Sequence, residues 1–156
     1  MSQQKHSYSG GHGNRETQNR HNETIPLPDV IYYDSSGNMP VQLLSDWAEA
    51  WAKSFPEKKL SKNQIRRFFG AIKNLHFQLD SGRPWEQILP LFKMFLSKVS
   101  YAEKAVSKKI PSEFANFLKI HIKKVGSSEK NFRAFVLFFE AVLGFAYGYD
   151  KIGGKE

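Results

Sequence analysis

Between residues 132 and 147 the chain is apolar on nearly every side of any helix it could form, with Phe132, Phe135, Val136, Phe138, Phe139, Val142, Leu143 and Phe145 in quick succession. Ser127 or Ser128 can cap its start, and Glu129 falls in the first turn, where an acid meets the positive end of the helix dipole. A helix apolar all round must be the central member of a bundle or be covered by another subunit, because its second face would otherwise be a large patch in water. Residues 134–149 are interrupted by Glu140 and flanked by Arg133 and Asp150. They fall short of the roughly 20 apolar residues of a membrane span, so the stretch reads as core.

Four further segments can supply the neighbours that such a helix needs. Val41, Leu44, Trp47, Ala48 and Trp51 recur at three-and-four spacing and predict helix one over residues 41–55, ended by Phe55-Pro56. Ser61 is a natural N-cap for helix two over 62–80, whose apolar residues are Ile65, Phe68, Phe69, Ile72, Leu75 and Leu79, with Ser81-Gly82 as its stop. Trp85, Ile88, Leu89, Phe92, Phe95, Leu96 and Val99 predict helix three over 84–105, which Pro90 should kink or delay. Phe114, Phe117, Leu118, Ile122 and Val125 predict helix four over 111–125, opened by Pro111 and closed by Gly126. No useful strand alternation and no internal repeat is present, so the fold class is all-α, a compact bundle of about five helices.

Residues 1–24 are rich in Gly, Ser, Asn, Gln and His and hold almost nothing apolar. Burial there cannot offset backbone entropy, so a flexible polar tail is expected. His6, His12 and His21 are irregularly spaced and lack carboxylate or Cys partners, and no metal is assigned to them. Residues 25–40 hold three prolines and the cluster Val30-Ile31-Tyr32-Tyr33, which suggests an extended arm that docks on the domain or on a neighbour. The expected organisation is tail and arm over 1–40, a helical domain over 41–150 and a short C-terminal tail over 151–156.

Cysteine is absent, which removes disulfides, Cys-ligated zinc, iron–sulfur clusters and thiol catalysis together, and agrees with a reducing cytoplasm. The first thirty residues lack the basic-then-apolar order of a signal peptide. The net charge is +8, and twenty of the 23 Lys and Arg lie after Pro40, so the positive field belongs to the folded part. Such a field draws polyanions through counterion release and long-range steering.

Helix two is the most informative place for that field. On a helical wheel its apolar residues fill an arc of roughly 120°. Lys62, Arg66 and Lys73 line one border of that arc, with Arg67 further round and Lys58 and Lys59 just before the helix. No acid occurs between Glu57 and Asp80, whereas an ordinary solvated face mixes signs. The helix N-terminus adds a partial positive charge suited to phosphate. A second, more dispersed set is Lys93, Lys98, Lys104, Lys108 and Lys109; a third is Lys119, Lys123, Lys124, Lys130 and Arg133, expected to meet across the turn between helices four and five. Tyr32, Tyr33 and Tyr149 lie outside the strongest helices and are candidates for exposed rings. His76, on the apolar arc, and the solitary His121 read as packed or partly exposed histidines. No converging set of ionisable groups and no Walker, nucleotide-fold or zinc motif is present, so no enzyme activity and no cofactor is expected.

Three segments carry a resemblance. Residues 59–69, Lys-Leu-Ser-Lys-Asn-Gln-Ile-Arg-Arg-Phe-Phe, are similar to an L-[ST]-x-x-Q-[IL]-R-[KR]-[FY] signature. Leu91-Phe92 through Lys98-Val99-Ser100-Tyr101-Ala102 resembles a central helix, and Phe132-Arg133-Ala134-Phe135 through Phe138-Phe139-Glu140-Ala141-Val142 resembles a C-terminal F-x-x-F-F-E-A helix. In this order they resemble the small subunit of the type III-A CRISPR-Cas Csm effector complex, an antiviral defence assembly. The resemblance implies a non-catalytic helical subunit that self-associates, stacking in several copies along the groove for guide RNA and target RNA, beside the large subunit and the backbone subunits. It carries RNA contact to Lys62, Arg66 and Arg67, which lie in the matching motif; Lys58, Lys59, Lys73, Lys130 and Arg133 rest on charge placement. The N-terminal tail is longer than the family pattern, and Glu103-Lys104-Ala105 stands where an Ala-rich, Arg-ending stretch is common. Two other readings fit the same basic helix: a helix-turn-helix DNA-binding protein, and a structural adaptor whose charge serves solubility.

Overall fold

The computed structural model describes residues 26–107 and 109–153. The polar tail with its three histidines, Lys108 and the last three residues lie outside the described residues. The elements are a tight 3-10 turn at Val41–Leu44, then α1 (Asp46–Ser54), α2 (Lys62–Ile65), a π-helical turn (Arg66–Gly70), α3 (Ala71–Asp80), α4 (Trp85–Lys93), α5 (Phe95–Lys104), α6 (Ser112–Val125) and α7 (Glu129–Gly148). Two-residue strands β1 (Leu60–Ser61) and β2 (Ile152–Gly153) pair in parallel. The fold is all-α, as the apolar spacing predicts.

The α7 helix is the central member. Ser128 caps it by accepting from the Asn131 N–H, and its Phe132, Phe135, Phe138, Phe139 and Val142 are fully buried against α1, α3 and α6. Its 20 residues meet the length and apolarity of a membrane span, and its Phe132, Phe135, Phe138 and Phe139 rings are spent inside the bundle instead. Phe117 of α6 packs on Phe139 at 5.1 Å between ring centroids, on Phe138 at 5.9 Å and on Trp51 of α1 at 5.5 Å. Rings of this size supply much of the burial that opposes chain entropy, and tilted or edge-on pairs add to it.

Two helices depart from their expected extents. Helix one opens as the 3-10 turn and becomes α-helical only at Asp46, because Val41 is 83% exposed and Pro40 precedes it, leaving Leu43 alone to anchor the turn. Helix three divides at Met94 into α4 and α5. Pro90 lacks an N–H, yet the chain keeps its helical course because Met94 N–H donates to the Pro90 carbonyl at 3.0 Å. Gly126, at φ 63°, ends α6 in a left-handed conformation that a side chain would strain.

The arm does not lie free. Val30 and Tyr32 are buried in the main core, which overturns the expectation of an exposed Tyr32. The Tyr32 hydroxyl lies 2.9 Å from His121 Nδ1 and 3.4 Å from the His121 carbonyl oxygen. Tyr33 is half-buried, and Tyr149 is exposed as expected. His121 itself is buried, in ring contact with Trp51 and Phe138. Burial, with the nearby Lys124 charge as a lesser cause, pushes its imidazole down to about 3, so it is neutral in the fold.

Candidate nucleic-acid interface

The start of helix two is built by local and distant contacts together. Ser61 and Gln64 form a capping box: the Ser61 hydroxyl oxygen accepts from the Gln64 N–H at 3.2 Å, and Gln64 Oε1 accepts from the Ser61 N–H at 2.8 Å. The Gln64 amide also donates to the Lys109 carbonyl at 2.9 Å, tying the loop before α6 to this corner. From the other end of the chain, Ile152 and Gly153 pair with Leu60 and Ser61, and the Lys58 N–H donates to the Asp150 carbonyl at 3.1 Å. Gly153 is required by close approach, since a Cβ there would sit 2.7 Å from Lys58 Cβ.

These contacts enclose a cleft of about 310 Å³ lined by Lys58, Lys59, Ser61, Asn63, Gln64, Arg67 and Gly153. Its charged lining is wholly cationic. Lys62 and Arg66 are exposed beside it, so Lys58, Lys59, Lys62, Arg66 and Arg67 gather around one helix N-terminus, where the dipole adds to their field. Among the described residues no salt bridge involves Lys58, Lys59, Arg66 or Arg67; the Arg67 guanidinium lies 5.6 Å from the Phe68 ring centroid. The two arginines lie in the π-helical turn, an irregularity often found where a helix does more than pack. The cleft can accept phosphate oxygens from several donors; it holds no carboxylate to act as a base.

The other three predicted cations are held by the fold. Lys73 pairs with Glu140 of α7 at 3.3 Å and lies over the Phe69 ring. Lys130 sits 4.0 Å from the Tyr33 ring centroid and donates to the Gly37 carbonyl at 3.3 Å, while the Tyr33 hydroxyl donates to the Lys130 carbonyl. Arg133 bridges Asp80 at 2.5 Å and Glu129 at 3.1 Å. The Asp80 bond holds the guanidinium above its usual range, and Arg133 holds the Asp80 carboxyl below the ordinary carboxylate range. Of the third basic set, Lys119 is also bound, to Glu103, and Lys124 to Asp29 and the Val30 carbonyl, while Lys123 is exposed. The Lys119 bond is also the main reason that the Glu103 carboxyl is held low.

The model of the Csm2 Type III-A family matches residues 38–151. The chain belongs to that family. It is a small subunit of the type III-A Csm complex, and the family is a structural component of that assembly. No curated protein and no solved structure matches significantly. The Csm2 match includes all eight predicted cations and ends one residue short of Ile152, so the strand that closes the cleft lies just outside it. Gly153 was not foreseen because its role comes from a two-residue pairing with a segment some ninety positions earlier, which leaves no local periodicity. Ser61, Asn63 and Gln64 stand in the signature, but their place in the cleft wall required the fold.

Proposed function

We propose that this Csm2-family subunit contacts the phosphate backbone of guide RNA or target RNA through the cleft and exposed cations at the start of helix two. It is non-catalytic and cytoplasmic, and it stacks in several copies along the RNA groove beside the large and backbone subunits. The observation that carries the reading is the convergence of Lys58, Lys59, Lys62, Arg66 and Arg67 on one helix N-terminus around a cleft with no acidic lining. Phosphate is the ligand that such a donor set and dipole favour, and the backbone of a polyanion allows several such contacts at once.

The test is a salt titration of single-stranded RNA binding by the wild type and by a variant with Lys62, Arg66 and Arg67 changed to alanine. If each cation neutralises one phosphate, the variant's slope of log affinity against log salt is shallower by about 2 units, at about 0.7 per single-strand phosphate. Its helicity by circular dichroism remains unchanged. Equal slopes and equal affinities in the two proteins would remove helix two from the RNA.

A further inference from the structure

Phe77 is 68% exposed, although it lies in the middle of α3 and the core has room for many rings elsewhere. It touches no other ring and no cation among the described residues, and only Tyr101, at 70%, is a more exposed aromatic there. A single exposed apolar side chain needs no explanation by itself. Its position does. The core side of α2–α3 is the row Ile65, Phe68, Ile72, Leu75 and Leu79, all buried. Opposite it runs the exposed row Asn63, Arg66, Gly70, Asn74 and Phe77. Arg66 and Phe77 thus stand on one ridge about 16 Å apart at about 1.5 Å per helical residue.

Between them the ridge is low and uncharged. A Cβ built on Gly70 would meet nothing within 4 Å, and Asn74 offers only an amide. That distance is within the span of a few nucleotides of an unpaired strand. A strand whose phosphates rest on Arg66 and the neighbouring cleft would therefore pass over Gly70 and bring a base to Phe77. Every base has a π-face, and a bare phenyl ring in water is a fitting partner for one that is not paired.

We infer that Phe77 is a base-stacking residue, which takes an unpaired nucleobase of an RNA strand whose phosphates are held at the start of helix two. The inference rests on the RNA reading above and sharpens it, because stacking requires single-stranded or locally unpaired RNA, whereas phosphate contact alone does not. Phe77 then supplies a salt-independent part of the affinity, and the cations supply the salt-dependent part.

The experiment measures low-salt binding of the full chain to a uridine-rich single strand and to a fully paired RNA duplex, for the wild type and for Phe77→Ala, Phe77→Trp and Tyr101→Ala. Phe77→Ala is expected to weaken single-strand binding about tenfold, within the range measured for loss of one stacked base, with the salt slope and duplex binding unchanged. Phe77→Trp restores the affinity, and Tyr101→Ala leaves it unaltered. In the assembled Csm complex, RNA carrying 5-iodouridine gives a photo-adduct at Phe77. Normal binding by Phe77→Ala, when the Lys62, Arg66 and Arg67 variant has lost affinity, overturns stacking and leaves the phosphate reading standing. An equal loss in Tyr101→Ala overturns a specific role for Phe77. Normal RNA binding with lost assembly of the other Csm subunits would make the ring a protein contact and overturn the inference. If neither variant changes binding, or the wild type binds no RNA, both readings fall.

Discussion

Two clusters of cations lie at the starts of two helices and look alike in one dimension, yet the fold treats them oppositely. At the start of α7, Lys130 and Arg133 are used up: one rests on the Tyr33 ring and the Gly37 carbonyl, and the other joins Asp80 to Glu129. They fasten the arm and the end of α3 to the central helix. At the start of helix two, Lys58, Lys59, Arg66 and Arg67 have no acid partner among the described residues; all but Arg66 line a cleft, and Arg66 is exposed beside it. A partnered cation has its field cancelled nearby and serves structure, while an unpartnered one projects its field outward to a ligand. The count of basic residues in a segment is therefore a poor guide to function until the acids across the fold are placed.

The sharpest separation of the two regions should come from the core of α7. Phe135→Ala is expected to cost about 3–5 kcal/mol in denaturant unfolding, because a fully buried ring is lost and a cavity is left. Any effect on RNA binding should vanish under conditions where the variant remains folded. A ring that could be removed for less than about 1 kcal/mol would mean that α7 is not the centre of stability.

A smaller effect follows from His121. Its folded pKa is depressed to about 3, while the unfolded value is near 6.5, so below that value the unfolded chain binds the extra proton. Stability is fully present above about pH 6.5 and is lost as pH falls toward 3, by about 2 kcal/mol at pH 5. In His121→Leu this part of the acid limb should be flat in urea titrations at pH 7 and pH 5. Because His121 holds the buried Tyr32, acid should also loosen the arm before it alters helix two.

The smallest effects test the comparison directly. Arg133→Ala should lower stability by less than about 1 kcal/mol, since its ion pairs are partly exposed, and should leave the RNA salt slope unchanged. Arg66→Ala should leave the unfolding midpoint alone and make the slope shallower by about 0.7. The reverse pattern, with Arg133 governing the salt slope, would move the RNA contact to the start of α7.

The same contrast shows how far the residues can be read in order. The apolar spacing of α6 and α7 and the caps at Ser61 and Ser128 place those helices within a residue or two of their observed bounds. Pro90 marks helix three for a disturbance, but the break's place at Met94 and the late start of α1 were not legible, since the apolar period runs unbroken through both. In the candidate site, the motif residues Lys62, Arg66 and Arg67 stand out in the chain, but the closing Gly153 and the exposure of Phe77 do not.

By itself the sequence determined the helical class, the all-round apolarity of the α7 segment, the family signature and the basic start of helix two. These are local properties, carried by residues three or four positions apart or within one motif, and helix geometry converts them directly into faces and caps. Only the tertiary structure decided which cations remain available, that Tyr32 is buried against His121, and that the C-terminal strand closes the cleft. Each of those depends on partners that lie from about fifty to nearly a hundred positions away along the chain. Their meeting is set by how the apolar faces pack together, and no local period records it.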